Sequence, residues 1–183
     1  MYESGSEYVS VASGDVDGDG TPDLLIGEPD EARVVVFSGT DLADLYLADA
    51  TVLELAGSWA TPIIELRNSN ELSGFGYSVA VSDVNGDGIQ DVLIGAPQQG
   101  VSGLDEAGQA YLFTTGLVSG MVEDNDPLVL NRDPQAYAAF GFSLDFTDDF
   151  DGNGSRELAI GEPFRNTYAN DDGSVVVMFL TSP

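Results

Sequence analysis

Apolar and polar residues alternate in three short stretches of this 183-residue chain: Val9 and Val11; Tyr77, Val79 and Val81; Phe142, Leu144 and Phe146. A period of two puts every second side chain on one face, so each stretch predicts a half-buried strand. Downstream of each comes a continuous apolar run, at residues 24–26, 92–94 and 158–160. Runs this short predict strands buried on both faces. Each run is closed by Gly27-Glu28-Pro29, Gly95-Ala96-Pro97 or Gly161-Glu162-Pro163. Glycine permits the bend there and proline cannot donate to a ladder. Third strands are predicted over 33–37, 110–113 and 174–180, and weaker fourth strands over 63–66 and 127–130. Residues 41–56 are ambiguous. Leu42, Leu45 and Tyr46 have helical spacing behind Asp41, but Asp49 breaks the stripe and Val52-Leu53-Glu54-Leu55 suits a strand. The segment reads as an insertion between strands.

These elements repeat. The polar loops between the first and second strands begin at Asp15, Asp83 and Asp149, spaced 68 and 66 residues apart. A period this long means one supersecondary unit per repeat, and four antiparallel strands per period make a propeller blade. The pattern therefore predicts an all-β chain, three blades of a β-propeller with the last lacking its fourth strand. It forms one repeat domain over 1–183, with repeats at 7–68, 75–131 and 140–180.

Each loop places oxygen-bearing side chains at positions 1, 3, 5 and 9: Asp15, Asp17, Asp19 and Asp23; Asp83, Asn85, Asp87 and Asp91; Asp149, Asp151, Asn153 and Glu157. Position 7 varies (Thr21, Ile89, Ser155), as expected where a backbone carbonyl is the ligand, and position 6 is always glycine (Gly20, Gly88, Gly154). Oxygen donors without nitrogen or sulfur favour calcium over zinc, and a flexible loop favours it over magnesium. An EF-hand shares this opening but needs a bidentate glutamate at position 12 and helical flanks. Here position 12 is Ile26, Ile94 or Ile160 and the flanks are strands, so the carboxylate at position 9 is expected to close the shell. Three calcium ions are expected, the first loop tightest on its four formal charges, with affinities from about 10 µM to 1 mM. Asn153-Gly154-Ser155 also spells a glycosylation sequon, but a ligand role would make Asn153 unavailable.

Charge sharpens this. Five arginines (Arg33, Arg67, Arg132, Arg156, Arg165) and no lysine face 32 acidic residues, for a formal charge of -27. Such a surface repels nucleic acid and anionic lipid. Part of the excess is solvation in a salty medium; the rest fits divalent-metal loops. With no cysteine or histidine either, thiol, His-triad, Schiff-base and ordinary zinc chemistry are excluded. No run of about 18 apolar residues exists, so no membrane insertion is expected. The residues after Met1 do not read as a signal peptide.

Phe75-Gly76 and Gly95-Ala96-Pro97, with the loop between them, resemble the FG-GAP repeat of integrin α-subunit propellers and their bacterial and archaeal relatives. The third copy keeps Phe140-Gly141 and has Gly161-Glu162-Pro163; the first has Glu7-Tyr8 where Phe-Gly would fall. The resemblance implies a propeller with calcium in the loop between its first two strands. It implies adhesion or ligand recognition, at the cell surface or outside the cell, toward a protein or glycan ligand. Such propellers close a ring of more blades than three, so the chain reads either as a piece of a longer protein or as a subunit completed by further copies of itself, which would give an extracellular filament or sheath. A third reading makes it an accessory part of a secreted hydrolase. Catalysis within these residues is not expected, because the acids are committed to metal. Trp59, Tyr137 and Tyr168 read as inter-blade packing or as a recognition face.

Overall fold

The computed structural model describes residues 8–47, 61–114, 116–166 and 172–180. They form three antiparallel sheets, the three propeller blades. The first runs β1 (Ser10–Gly14), β2 (Asp23–Glu28), β3 (Arg33–Phe37) and β4 (Ile64–Arg67). The second holds β5 (Ser78–Ser82), β6 (Asp91–Ala96) and β7 (Gln109–Phe113), followed by β8 (Gly120–Met121) and β9 (Leu128–Leu130) in the chain. Of these, β9 completes the second blade, whereas β8 crosses over to lie parallel to β4 on the first. The third blade is β10 (Ser143–Phe146), β11 (Leu158–Glu162) and β12 (Ser174–Met178).

Registers match blade to blade. Val11 pairs with Ile26, Val79 with Ile94 and Leu144 with Ile160. The core lies between the sheets. Leu25, Val34, Val36 and Leu66 of the first blade meet Val92, Ile94, Tyr111 and Phe113 of the second. The opposite face of the second blade (Leu93, Ala110, Leu112) meets Leu158, Ile160 and Val176 of the third.

This stacking explains where the burial pattern departs from expectation. All six residues of β6 are buried, as a run covered on both faces should be, but β2 alternates buried and half-buried. Only the middle blade has a neighbour on each side. For the same reason Val9 and Val11 do not face the core: Val11 is 66 % exposed, and its neighbour Ala12 packs inward instead. The alternating valines line the outer face of the first blade.

Residues 39–47 form a helix, α1 (Gly39–Leu47), started by Ser38, whose carbonyl accepts the Leu42 N–H at 3.0 Å. Helix therefore wins at the start of the ambiguous segment; Val52 to Leu55 lie outside the described residues. Trp59 and Tyr168 lie outside them too. Tyr137 does not pack between blades: it is exposed with φ +62°.

The Phe-Gly pairs join the blades. Phe75 is fully buried, a contribution of about 2–3 kcal/mol for a ring of its size. Gly76 follows at φ +91°, and its carbonyl accepts the Ser10 hydroxyl of the blade before, at 2.7 Å. Gly141 repeats this with Ser78, also at 2.7 Å. A Cβ on Gly76 would lie 2.6 Å from the Arg33 carbonyl, so only glycine fits.

Candidate metal centre

The three loops share one wrap, built around the carboxylate at position 1. Asp15 accepts the N–H groups of Gly18 and Gly20 at 2.8 and 2.9 Å; Asp83 accepts those of Gly86 and Gly88 at 2.7 and 3.0 Å. Asp149 does the same with Gly152 and Gly154, at 2.7 and 2.8 Å. Both glycines in each loop need positive φ, from 76° to 92°. The glycine at position 4 (Gly18, Gly86, Gly152) is thus as necessary as the one at position 6, and its presence in all three copies was the signal. Position 3 accepts the N–H of position 5, and position 5 that of position 7: Asp17 from Asp19, then Asp19 from Thr21 at 2.7 Å. Asn85, Asp87 and Ile89 repeat the series, as do Asp151, Asn153 and Ser155.

Position 9 is buried in every copy and ties the loop to its start. Asp23 accepts from Val16 N–H at 3.0 Å, Asp91 from Val84 at 2.7 Å, and Glu157 from Phe150 at 2.8 Å. The second oxygen is what differs. In the first loop it accepts the Gly39 N–H at the start of α1, at 3.0 Å. In the third, Glu157 Oε1 is buried and has no hydrogen-bond partner among the described residues. The longer glutamate brings its carboxylate within 4.8 Å of Asp149 and Asp151, whereas in the first loop Asp15, Asp17 and Asp19 converge without Asp23.

Contacts from distant residues, invisible to motif spacing, complete the loops. Thr40 donates to Asp19 at 3.0 Å; Asn85 donates to the Thr114 carbonyl at 3.1 Å; Asn153 donates to that of Leu180 at 2.8 Å. Each anchors the loop to the end of its third strand or just beyond.

Electrostatics follow from these contacts. Burial pushes Asp91 up to about 6, with Asp87 and Asp83 adding to the effect and the Val84 N–H opposing it. Burial likewise raises Asp17, helped by its acidic neighbours. Asp149 is lowered by the N–H groups aimed at it, that of Gly154 first, and Asp19 by the Thr21 N–H and the Thr40 hydroxyl. The first and third loops each bring three carboxylates within 4.8 Å of one another, all hard donors, and in the third one buried oxygen is left unsatisfied. That set fits a hard divalent cation.

A family model described as the FG-GAP repeat matches residues 8–41, 75–113 and 140–178. Integrin alpha-5 of Xenopus laevis is 31 % identical over 171 residues, covering 89 % of this chain and 14 % of that protein. Integrin alpha-8 of Mus musculus is 32 % identical with the same coverage, and integrin alpha-IIb of Mus musculus is 31 % identical over 90 % of this chain. The chain spans about a seventh of the length of these relatives. Each matched segment holds one blade's first three strands and its acidic loop; the chain belongs to the FG-GAP repeat family.

Proposed function

We propose that this chain is a calcium-binding, non-enzymatic propeller module of an extracellular or cell-surface protein, serving adhesion or ligand binding toward a protein or glycan. The observation that carries the calcium reading is Glu157 Oε1, a buried carboxylate oxygen without a partner beside Asp149 and Asp151. A buried charge left unsatisfied is costly, and a cation in the loop removes the cost. The same residue types recur in all three loops, so three ions are proposed. They would be held by Asp15, Asp17, Asp19, Thr21 and Asp23; by Asp83, Asn85, Asp87, Ile89 and Asp91; and by Asp149, Asp151, Asn153, Ser155 and Glu157, with position 7 acting through its carbonyl. Charge count ranks the first loop tightest. The geometry favours the third instead, because Asp23 already spends both oxygens on backbone N–H groups.

The adhesion reading rests on likeness to the integrin alpha chains. Against catalysis, the one fully buried carboxylate described outside the loops, Glu162, is held in an ion pair with Arg165 at 3.2 Å.

Calorimetric titration with calcium, alongside thermal melting before and after chelation, tests this. Binding at three sites with a clear rise in Tm is expected; each site adds about 2.7 kcal/mol at free calcium a hundredfold above its Kd. A melting temperature indifferent to chelator would overturn it.

A further inference from the structure

We propose that Asn85 and Asn153 are sites of spontaneous deamidation that a cation in the loop holds back, and that conversion of Asn85 unhooks the second loop from its blade. This inference rests on the calcium reading above. Of the eight asparagines in the chain, only these two are followed by glycine. The reaction needs the next residue's backbone nitrogen to attack the side-chain amide carbon. A Cβ on that residue obstructs the approach, and glycine has none. Gly86 and Gly154 are exposed, and nothing lies within 4 Å of where a Cβ would stand. In the reaction the Gly86 nitrogen bonds to Asn85 Cγ as the amide C–N bond of the side chain breaks, and the proton lost by Gly86 leaves with the departing ammonia. Water then opens the cyclic imide at either carbonyl, giving aspartate or isoaspartate.

The closed loop works against that attack. The Gly86 N–H is spent on Asp83 Oδ1 at 2.7 Å, and Asn85 Oδ1 accepts the Asp87 N–H at 2.9 Å. Asn85 Nδ2 donates to Asp87 Oδ2 at 3.0 Å and to the Thr114 carbonyl at 3.1 Å. The third loop repeats the arrangement: Gly154 donates to Asp149 Oδ2 at 2.8 Å, Asn153 Oδ1 accepts from Ser155 at 2.7 Å, and Nδ2 reaches the Leu180 carbonyl at 2.8 Å. Ring closure strains or breaks these contacts, so it draws on the population of open loops. Repulsion among Asp83, Asp87 and Asp91 favours opening when no cation is present. A cation that binds only the closed loop shrinks the open population, by about a hundredfold when it is a hundredfold above its Kd.

The polarity of the hook decides what conversion does. In the first blade the hook is a donor, the Thr40 hydroxyl on Asp19 at 3.0 Å. In the second it is the Thr114 carbonyl, which an amide can meet and a carboxylate cannot. Aspartate at position 85 would copy the four acids of the first loop, yet it would set a charged oxygen where a donor stood. Charge count alone makes such a loop a tighter calcium site; the lost hook makes it a weaker one. Isoaspartate goes further, because it lengthens the backbone inside the wrap.

The test incubates the intact chain at neutral pH in saturating calcium and in chelator, and follows each asparagine by peptide mass spectrometry. Chelator is expected to speed conversion of Asn85 and Asn153 about tenfold or more, while Asn125 and Asn131 stay intact in both. The variant D91N, its fold checked by circular dichroism, weakens the second loop alone. At calcium just sufficient to fill wild type it should lose protection at Asn85 and keep it at Asn153. N85D reproduces one product and should bind calcium at the second site about fivefold more weakly than wild type, despite its added charge. Equal rates with and without calcium, a folded D91N that converts at both sites or at neither, or an N85D that binds as tightly as wild type would each overturn the proposal. The titration decides calcium binding separately, so equal rates in a chain that takes up the metal sink this inference alone.

Discussion

The backbone N–H of Gln90, in the second loop, donates to the carbonyl oxygen of Asp15, the first residue of the first loop, at 2.9 Å. Ile89 leans on the same loop: a Cβ on Gly18 would lie 3.4 Å from its Cδ1. Two loops that share a hydrogen bond and a side-chain contact order one another, so filling one should lower the cost of filling the other. The variant Asp87→Asn weakens the second site. It should reduce calcium affinity at the first by about fivefold, the lower end of ordinary coupling, and leave the third unchanged. Site-resolved NMR titration checks this, and equal effects at the first and third sites would refute it.

Glu157 makes a prediction that changes sign with calcium. Gln at this position keeps an acceptor for the Phe150 N–H but removes the charge of a buried, half-satisfied carboxylate. In chelator, Glu157→Gln should raise the melting temperature, because burying an unpaired charge is unfavourable. In saturating calcium it should melt below wild type and lose affinity at the third site at least tenfold. Melting that moves the same way in both conditions would deny Glu157 a ligand role.

What could be read from the sequence was whatever repeats locally. The blade period and the loop positions follow from patterns a few residues wide, whereas the registers Val11–Ile26 and Val79–Ile94 come from the structure. The outward turn of Val11 was not readable, because alternation gives a strand two faces and cannot say which one has a neighbour. Nor were Thr40, Gly39 and the Leu180 carbonyl, which reach the loops from 16 to 27 residues away and carry no spacing signal. The start of α1 was ambiguous because its apolar stripe lasts barely a turn. Its first N–H goes to Asp23, a tertiary contact that local propensity does not contain.

The junction serines give a graded test. Ser10→Ala or Ser78→Ala leaves a glycine carbonyl without its donor and should cost about 1 kcal/mol each. Ser143→Ala, whose hydroxyl has no partner among the described residues, should cost less than about 0.5 kcal/mol in the isolated chain. Gly76→Ala sets a Cβ 2.6 Å from a carbonyl at a φ that L-residues avoid, and should cost about 2 kcal/mol or more. Urea unfolding in saturating calcium measures all four. Equal losses for Ser10 and Ser143 would mean the hydroxyls do not work through the glycine carbonyl.

Asp91 sets how the metal-free chain responds to pH. Burial holds its pKa at about 6 when folded, against an ordinary value of 3.8. The folded state thus keeps the Asp91 proton over a range where the unfolded chain has released it. The stability this supplies is complete below pH 3.8 and is lost as pH rises through about 6. Asp149 and Asp19 are lowered, so their contribution runs the other way and weakens as pH falls. The clean measurement is therefore the difference between wild type and Asp91→Asn in chelator, followed by urea unfolding from pH 4 to pH 7. Wild type should lose ground to the variant as pH rises, since the amide carries no charge to desolvate. Calcium should flatten or reverse that trend, because a cation in the loop favours the ionised carboxylate. A difference that stays constant across this range in chelator would show that Asp91 is not held protonated by its burial.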